Sequence, residues 1–205
     1  MVLDSYRSKS DRILIPISRP FMALDPDIIS LLSLIMALLA GVLFYMGGTL
    51  RDGSLVLIIL SALFDAIDGK VARLTGKQSS RGDLVDHVLD RYSDVALLAG
   101  FIFSDVAQLS VGIFALIGVM LTSYMGTQSQ ALGLKRDYSG VLGRADRLAV
   151  MILFVLIQII FPFRLHVWLL LITPTNLMLL WFAIAGNVTA LSRFRRAYAS
   201  LSKSP

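Results

Sequence analysis

The 205 residues are 56% hydrophobic and 16% charged, with a mean hydropathy of +0.75 and a net charge of +5. That balance is too apolar for an ordinary soluble domain, and in a bilayer protein the positive charge reports orientation and anionic headgroups rather than nucleic acid. The chain has no cysteine, which excludes a disulfide frame and any thiolate metal site.

From the start of the chain, Asp4, Arg7, Lys9, Asp11 and Arg12 precede any long apolar run, so the N-terminus does not read as a cleavable signal. Over residues 3–22, Leu3, Tyr6, Ile13, Leu14, Ile17 and Phe21 alternate with Arg7, Lys9, Arg12 and Arg19 at roughly helical spacing. This predicts an amphipathic helix on the cytoplasmic surface, bent or broken at Pro16 and Pro20. Pro26 opens a first span, from Ile28 to about Gly47. The second runs from Gly53 to about Leu74, the third from Asp83 to Phe103 and the fourth from Val106 to Gly126. A fifth begins near Arg147 and ends before Pro162. Thr173-Pro174 reads as a helix cap followed by proline in the first turn, which starts the sixth span there and ends it near Arg193. Residues 161–172, with Phe161, Phe163, Arg164 and Trp168, suit an interfacial segment. Of the 19 basic residues, only Arg51 and Arg164 fall outside the connections assigned to the cytoplasm. The bias places both termini inside and makes the span count even. The expectation is an all-α integral membrane protein with a six-transmembrane-helix bundle. Residues 1–23 form the amphipathic juxtamembrane segment, 24–196 the six-helix domain and 197–205 a cytoplasmic tail. On the fourth span Gly118, Thr122 and Gly126 recur every four residues, a small-residue face suited to close helix packing within the bundle or between protomers.

The chemistry lies in the second and third spans, which hold or border Asp65, Asp68, Asp83, Asp86, Asp90 and Asp94. One charge at depth costs roughly 2.5–3.5 kcal/mol, so such a cluster needs compensation. Asp65 and Asp68 are three apart and Asp86 and Asp90 four apart, so each pair shares a helix face. The connection over 75–82, with Gly76 and Gly82, lets the two pairs converge. Converging carboxylates repel unless balanced, in part by Lys70, Arg73 and Arg91. An all-oxygen ligand set is the chemistry of magnesium, manganese or calcium, and four carboxylates suit two ions with shared ligands. A buried ion-pair network is the plain alternative. A transporter is disfavoured, because the acids gather near one membrane face and no inverted repeat is present.

Residues 65–90 read Asp65-x2-Asp68-Gly69-x2-Ala72-Arg73-x8-Gly82-x3-Asp86-x3-Asp90. This resembles the complete signature of the CDP-alcohol phosphatidyltransferases, at every fixed position and spacing. The resemblance implies that Asp65, Asp68, Asp86 and Asp90 hold two Mg2+ or Mn2+ ions over the diphosphate of a CDP-lipid, with Asp90 as general base. It also implies that Gly69, Ala72 and Gly82 admit the cytidine portion and that Arg73 meets the nucleotide or its phosphates. Upstream, Asp25-Pro26-Asp27 is similar to the family's Thr-Pro-Asn segment, with Asp27 in the place of a nucleotide-holding Asn.

The connection after the fourth span carries Ser123-Tyr124, Ala131-Leu132-Gly133 and Gly143-Arg144-Ala145-Asp146-Arg147-Leu148. It resembles the subgroup of the family that accepts inositol phosphate, with Gly143 where that subgroup has Glu. A phosphorylated acceptor suits Lys135, Arg144, Arg147 and Arg193, because arginine offers phosphate two parallel charge-assisted hydrogen bonds. For Arg195, Arg196 and Lys203, ordinary positive-inside anchoring is the simpler reading. His87 is expected beside the site and His166 is unremarkable, while Asp94 either orients a ligand or pairs with Arg91. The resemblance thus implies a plasma-membrane transferase of phospholipid biosynthesis, a homodimer releasing CMP. Glycerol-3-phosphate, free inositol and serine remain alternative acceptors, and the lipid is either diacylglycerol or archaeol based.

Overall fold

The computed structural model describes residues 14–202 apart from 136, 138 and 141. Among the described residues are six long helices: α1 (Pro26–Met46), α2 (Leu50–Leu74), α3 (Ser80–Ile102), α4 (Leu109–Ala131), α5 (Arg144–Ile160) and α6 (Pro174–Leu201). Strands β1 (Leu165–Val167) and β2 (Leu170–Ile172) form an antiparallel hairpin between α5 and α6. Helices α1, α4 and α6 are each long and apolar enough to cross a membrane, and the chain is a multi-pass membrane protein. The described chain divides into two compact units, one ending at Asp105 and the other beginning at Val106.

In the first unit, residues 14–18 form a helical turn that passes into a 3-10 turn over Arg19–Phe21, where Pro20 cannot continue an α-helix. Phe21 meets Phe64 edge-on, with ring centroids 5.9 Å apart, and packs on a core of Ile29, Ile67 and Val71. The rest of the expected amphipathic helix, with Arg7, Lys9 and Arg12, lies outside the described residues. Helix α1 starts where the Asp25 carboxylate accepts the Asp27 N–H at 3.1 Å and Pro26 presets the first turn. It ends at Gly47, whose φ of 72° favours glycine. Helix α1 packs against both α2 and α3. Its contact with α3 requires Gly41 and Gly100, since a β-carbon on Gly100 would stand 2.5 Å from the Gly41 Cα. At the Gly47 end, Arg51 pairs with Asp105 and lies 5.0 Å over the Phe44 ring.

In the second unit, α4 and α6 cross at Gly118 and Gly186, where a β-carbon on Gly186 would come within 2.7 Å of the Gly118 backbone. The Thr122 hydroxyl donates to the Gly186 carbonyl at 2.9 Å. The small-residue face of the fourth span therefore serves packing inside this unit. Thr173 caps α6 by accepting the Asn176 N–H at 3.0 Å, ahead of Pro174, as the cap-and-proline pair predicts. Buried Gln158 on α5 accepts both the N–H and the hydroxyl of Thr175, at 3.1 and 3.0 Å.

The structure departs from the sequence expectations in three places. Helix α4 continues past Gly126 to Ala131, and α6 continues past Arg193 to Leu201. In both cases the helix carries on into polar sequence where hydropathy falls. The interfacial segment 161–172 contains two short strands, so the fold is helical with one hairpin.

Candidate active site

The site is built in the first unit from the α2 C-terminal half, the α2–α3 connection and the α3 N-terminal half. Ser79 caps α3 by accepting the Gly82 N–H at 3.0 Å, which fixes the chain reversal between the two acidic helices. Carboxylate oxygens of Asp65, Asp68 and Asp86 lie within 4.8 Å of one another. A second group of the same tightness joins Asp86, His87 and Asp90. Asp86 belongs to both, as a ligand shared between two ions would. The donors are carboxylate oxygens with one imidazole, which fits hard divalent cations.

The surrounding contacts orient these acids. Buried Asp68 accepts the Ser30 hydroxyl of α1 at 2.6 Å and the Gly69 N–H. The His87 Nδ1 stands 3.4 Å from the Asp86 carboxylate, so this histidine neighbours the site as expected. Arg91 spans two acids, 3.0 Å from Asp94 and 3.8 Å from Asp90. Asp94 is therefore the Arg91 partner, one of the two roles the sequence allowed.

A cavity of about 530 Å³ opens beside the acids. Its lining includes Asp27, Gly69, Ala72, Arg73 and Gly82 together with Asp68 and Asp86. All five residues expected to hold the CDP portion thus share one cavity with two of the expected metal ligands. Lys77 and Arg81 add positive charge to its wall, with Arg81 3.6 Å from the Asp27 carboxylate. Gly69 is informative because glycine inside a helix costs about 1 kcal/mol relative to alanine. A β-carbon there would meet nothing nearer than the Arg73 guanidinium at 3.8 Å, so packing does not require the glycine. Its bareness leaves room in the cavity. Neither Ser30 nor Ser79 was singled out from the sequence. Their signal was a small polar residue one turn after Pro26 on an apolar helix, and an N-cap before Gly82.

The four residues expected to bind the acceptor lie in the second unit. Lys135 is exposed after α4, and Arg144 opens α5 half-buried. Arg147 is 1% exposed, and its guanidinium donates to the Ser123 hydroxyl at 3.2 Å. This links the Ser123-Tyr124 stretch to the motif on α5. A headgroup anchor would extend into the interface, whereas this guanidinium is enclosed. Arg193 is 5% exposed and donates to the carbonyls of Thr122 at 2.6 Å and Ser139 at 3.0 Å. Arg196 does more than anchor: it donates to the Asp137 carboxylate at 2.9 Å and the Ser139 hydroxyl at 2.5 Å. Burial works to raise the Asp137 carboxyl. The Ser139 hydroxyl and N–H, with Arg196, outweigh it and hold the group below the usual aspartate range. Arg195 is exposed, and Lys203 lies outside the described residues.

The sequence model of the CDP-alcohol phosphatidyltransferase family matches residues 23–194. A phosphatidylinositol phosphate synthase of Cutibacterium acnes is 28% identical over 97% of this chain and 100% of its own. An archaetidylinositol phosphate synthase of Pyrococcus horikoshii is 28% identical over 63% of this chain and 68% of its own. The fold is shared with Mycobacterium tuberculosis phosphatidylinositol phosphate synthase, solved with CDP-DAG bound, at a TM-score of 0.75 and 24% identity. That match covers 91% of this chain and 94% of the other.

Proposed function

Given that the chain belongs to the CDP-alcohol phosphatidyltransferase family, we propose that it moves a phosphatidyl or archaetidyl group from a CDP-lipid to inositol phosphate. The observation that carries the reading is the single cavity in which Asp27, Gly69, Ala72, Arg73 and Gly82 meet Asp68 and Asp86. Beside it, Asp65, Asp68, Asp86 and Asp90 are the residues to hold two divalent ions, magnesium or manganese. Such ions, when bound, offset the diphosphate charge and stabilise departing CMP. Gly69, Ala72 and Gly82 give the cytidine portion its space, and Arg73 meets its phosphates. Asp90 accepts the proton of the attacking hydroxyl. A phosphorus–oxygen bond forms to the acceptor, and the phosphorus–oxygen bond to CMP breaks. Ser30 holds Asp68 in place from α1.

Arg144 and Arg147, with Lys135, supply the charge for a phosphorylated acceptor, and Arg193 supports them by fixing the Ser139 backbone. The buried Arg147 beside Ser123 favours this role over simple topological anchoring. The relatives named for inositol phosphate lipids point the same way. We further propose that α1 to α6 all cross the membrane, with residues 24–196 as the catalytic domain and both termini and the site cytoplasmic. Residues 1–23 then form an amphipathic juxtamembrane segment, 197–205 a tail, and the working unit is a homodimer.

The test is CMP release by purified protein given CDP-lipid, magnesium and one acceptor at a time. Inositol phosphate should support turnover. Turnover with serine, free inositol or glycerol-3-phosphate, and none with inositol phosphate, overturns the acceptor assignment and leaves the transferase standing.

A further inference from the structure

The hairpin between α5 and α6 has an unusual tip. Val167 pairs with Leu170, leaving Trp168-Leu169 as a two-residue turn. Trp168 has a φ of 57° and is the one described non-glycine residue with positive φ. The first central position of such a turn ordinarily takes glycine, and a bulky residue there costs on the order of 1–3 kcal/mol of strain. Yet Trp168 is 97% exposed and Leu169 91% exposed, so no packing within the described residues offsets that cost.

Two further observations say what surrounds the tip. Helix α5 has 17 residues, which at 1.5 Å each reach about 25 Å, short of the roughly 30 Å hydrocarbon core. On the proposed topology, in which α5 crosses from its cytoplasmic Arg144 end, the hairpin that follows starts inside the bilayer or at its boundary. Counting from the other end gives the same depth. On the same topology, the 20 residues of α6 from Pro174 to Arg193 reach about 30 Å, which sets Pro174 at the far boundary. Secondly, the hairpin's backbone is held as a water-poor setting demands. Besides the strand pairing, the Gln108 side chain donates to the Leu169 carbonyl at 3.0 Å and accepts the Leu171 N–H at 3.3 Å. Asn176 donates to the Leu171 carbonyl at 2.6 Å. The hairpin is a fixed mount, and its tip is apolar.

We propose that this hairpin is a lipid-anchoring wedge: Trp168 and Leu169 insert into the bilayer interface at the far end of α5 and make up for its short length. The occupant of the tip is the headgroup–acyl boundary, where the indole ring and its N–H are both accommodated. Strain at Trp168 is offset by that insertion.

Trp181 is the other tryptophan, so Trp181→Phe leaves Trp168 as the sole indole reporter. The variant is reconstituted in phosphatidylcholine vesicles carrying bromine at shallow or deep acyl positions. The wedge predicts blue-shifted emission, quenched several-fold more by shallow than by deep bromine. Water-like emission untouched by either label overturns it. Blue-shifted emission that ignores bromine and depends on protein density also overturns it, because a second copy then covers the tip. Should Trp181→Phe fail to fold, the difference spectrum between wild type and Trp168→Phe reports the same residue.

Discussion

Gly69 in the acidic cavity of the first unit, and Gly126 and Gly140 in the basic region of the second, are bare for opposite reasons. In the cavity, Gly69 leaves space that no protein atom fills, its virtual β-carbon finding only the Arg73 guanidinium at 3.8 Å. In the basic region the protein fills the space itself. A β-carbon on Gly126 would stand 3.3 Å from the Arg193 guanidinium, and one on Gly140, at φ 112°, would collide with Thr189. The same contrast holds for the charges. Asp68 and Asp86 line an open cavity, whereas Arg193 and Arg196 hold the α4–α5 connection through Thr122, Asp137 and Ser139. One region leaves open space, and much of the other is organised around its own loop. Only Arg144, Arg147 and Lys135 in the second region carry the proposed ligand role.

The contrast can be broken most severely at Asp90. Asp90→Asn should lower turnover by about 10²–10⁴-fold, the usual worth of a positioned base, while CDP-lipid still binds. CMP release and a binding titration together check this. Near-normal turnover at saturating magnesium would remove Asp90 from the chemistry. Asp68→Asn should act differently, weakening metal and nucleotide binding, because it disrupts the group shared with Asp65 and Asp86.

Gly69→Ala separates function from stability. A helix-interior alanine should stabilise the fold by about 0.5–1 kcal/mol, read as a higher unfolding midpoint. The same methyl enters the cavity, so CDP-lipid affinity should fall by about tenfold, the cost of overpacking by 1–3 kcal/mol at its lower end. Unchanged affinity would mean that the bareness of Gly69 serves no ligand.

Arg147→Lys keeps the charge and loses the planar fork. It should raise the acceptor KM by about tenfold and spare CDP-lipid binding, since one charge-assisted hydrogen bond is worth roughly 1.5–3 kcal/mol. A silent substitution would return Arg147 to topological anchoring.

The smallest effect is expected at Asp137. Asp137→Asn loosens the Arg196 contact and should raise the acceptor KM by only a few-fold, because one face of the pair is open to water. The Asp137 pKa is depressed in the folded protein, so its contribution is complete above the ordinary aspartate value. It is lost only as pH falls through the still lower folded value. The ratio of wild-type to variant KM should therefore be flat from about pH 5 to 8. A ratio that changes across that window would contradict the assignment.

Local signals were readable in the sequence. Pro26 and the Thr173-Pro174 cap mark the starts of α1 and α6, as read from the sequence. The spacing of Asp65, Asp68, Asp86 and Asp90 places the acids on facing helix sides. The unread features depend on partners far along the chain. The Asp137–Arg196 contact joins residues 59 apart, and the hairpin is secured by Gln108, 61 residues before Leu169. The ends of α4 and α6 were placed too early because hydropathy falls where a helix leaves the apolar layer, while its backbone hydrogen bonding continues.

The central claim is that the acidic cavity binds the CDP portion through divalent cations. It is tested most directly by titrating CDP into the wild-type protein, with no acceptor, in magnesium and again in excess chelator after metal removal is verified. The account predicts saturable binding with magnesium and its loss in chelator. Equal affinity in both conditions would contradict it.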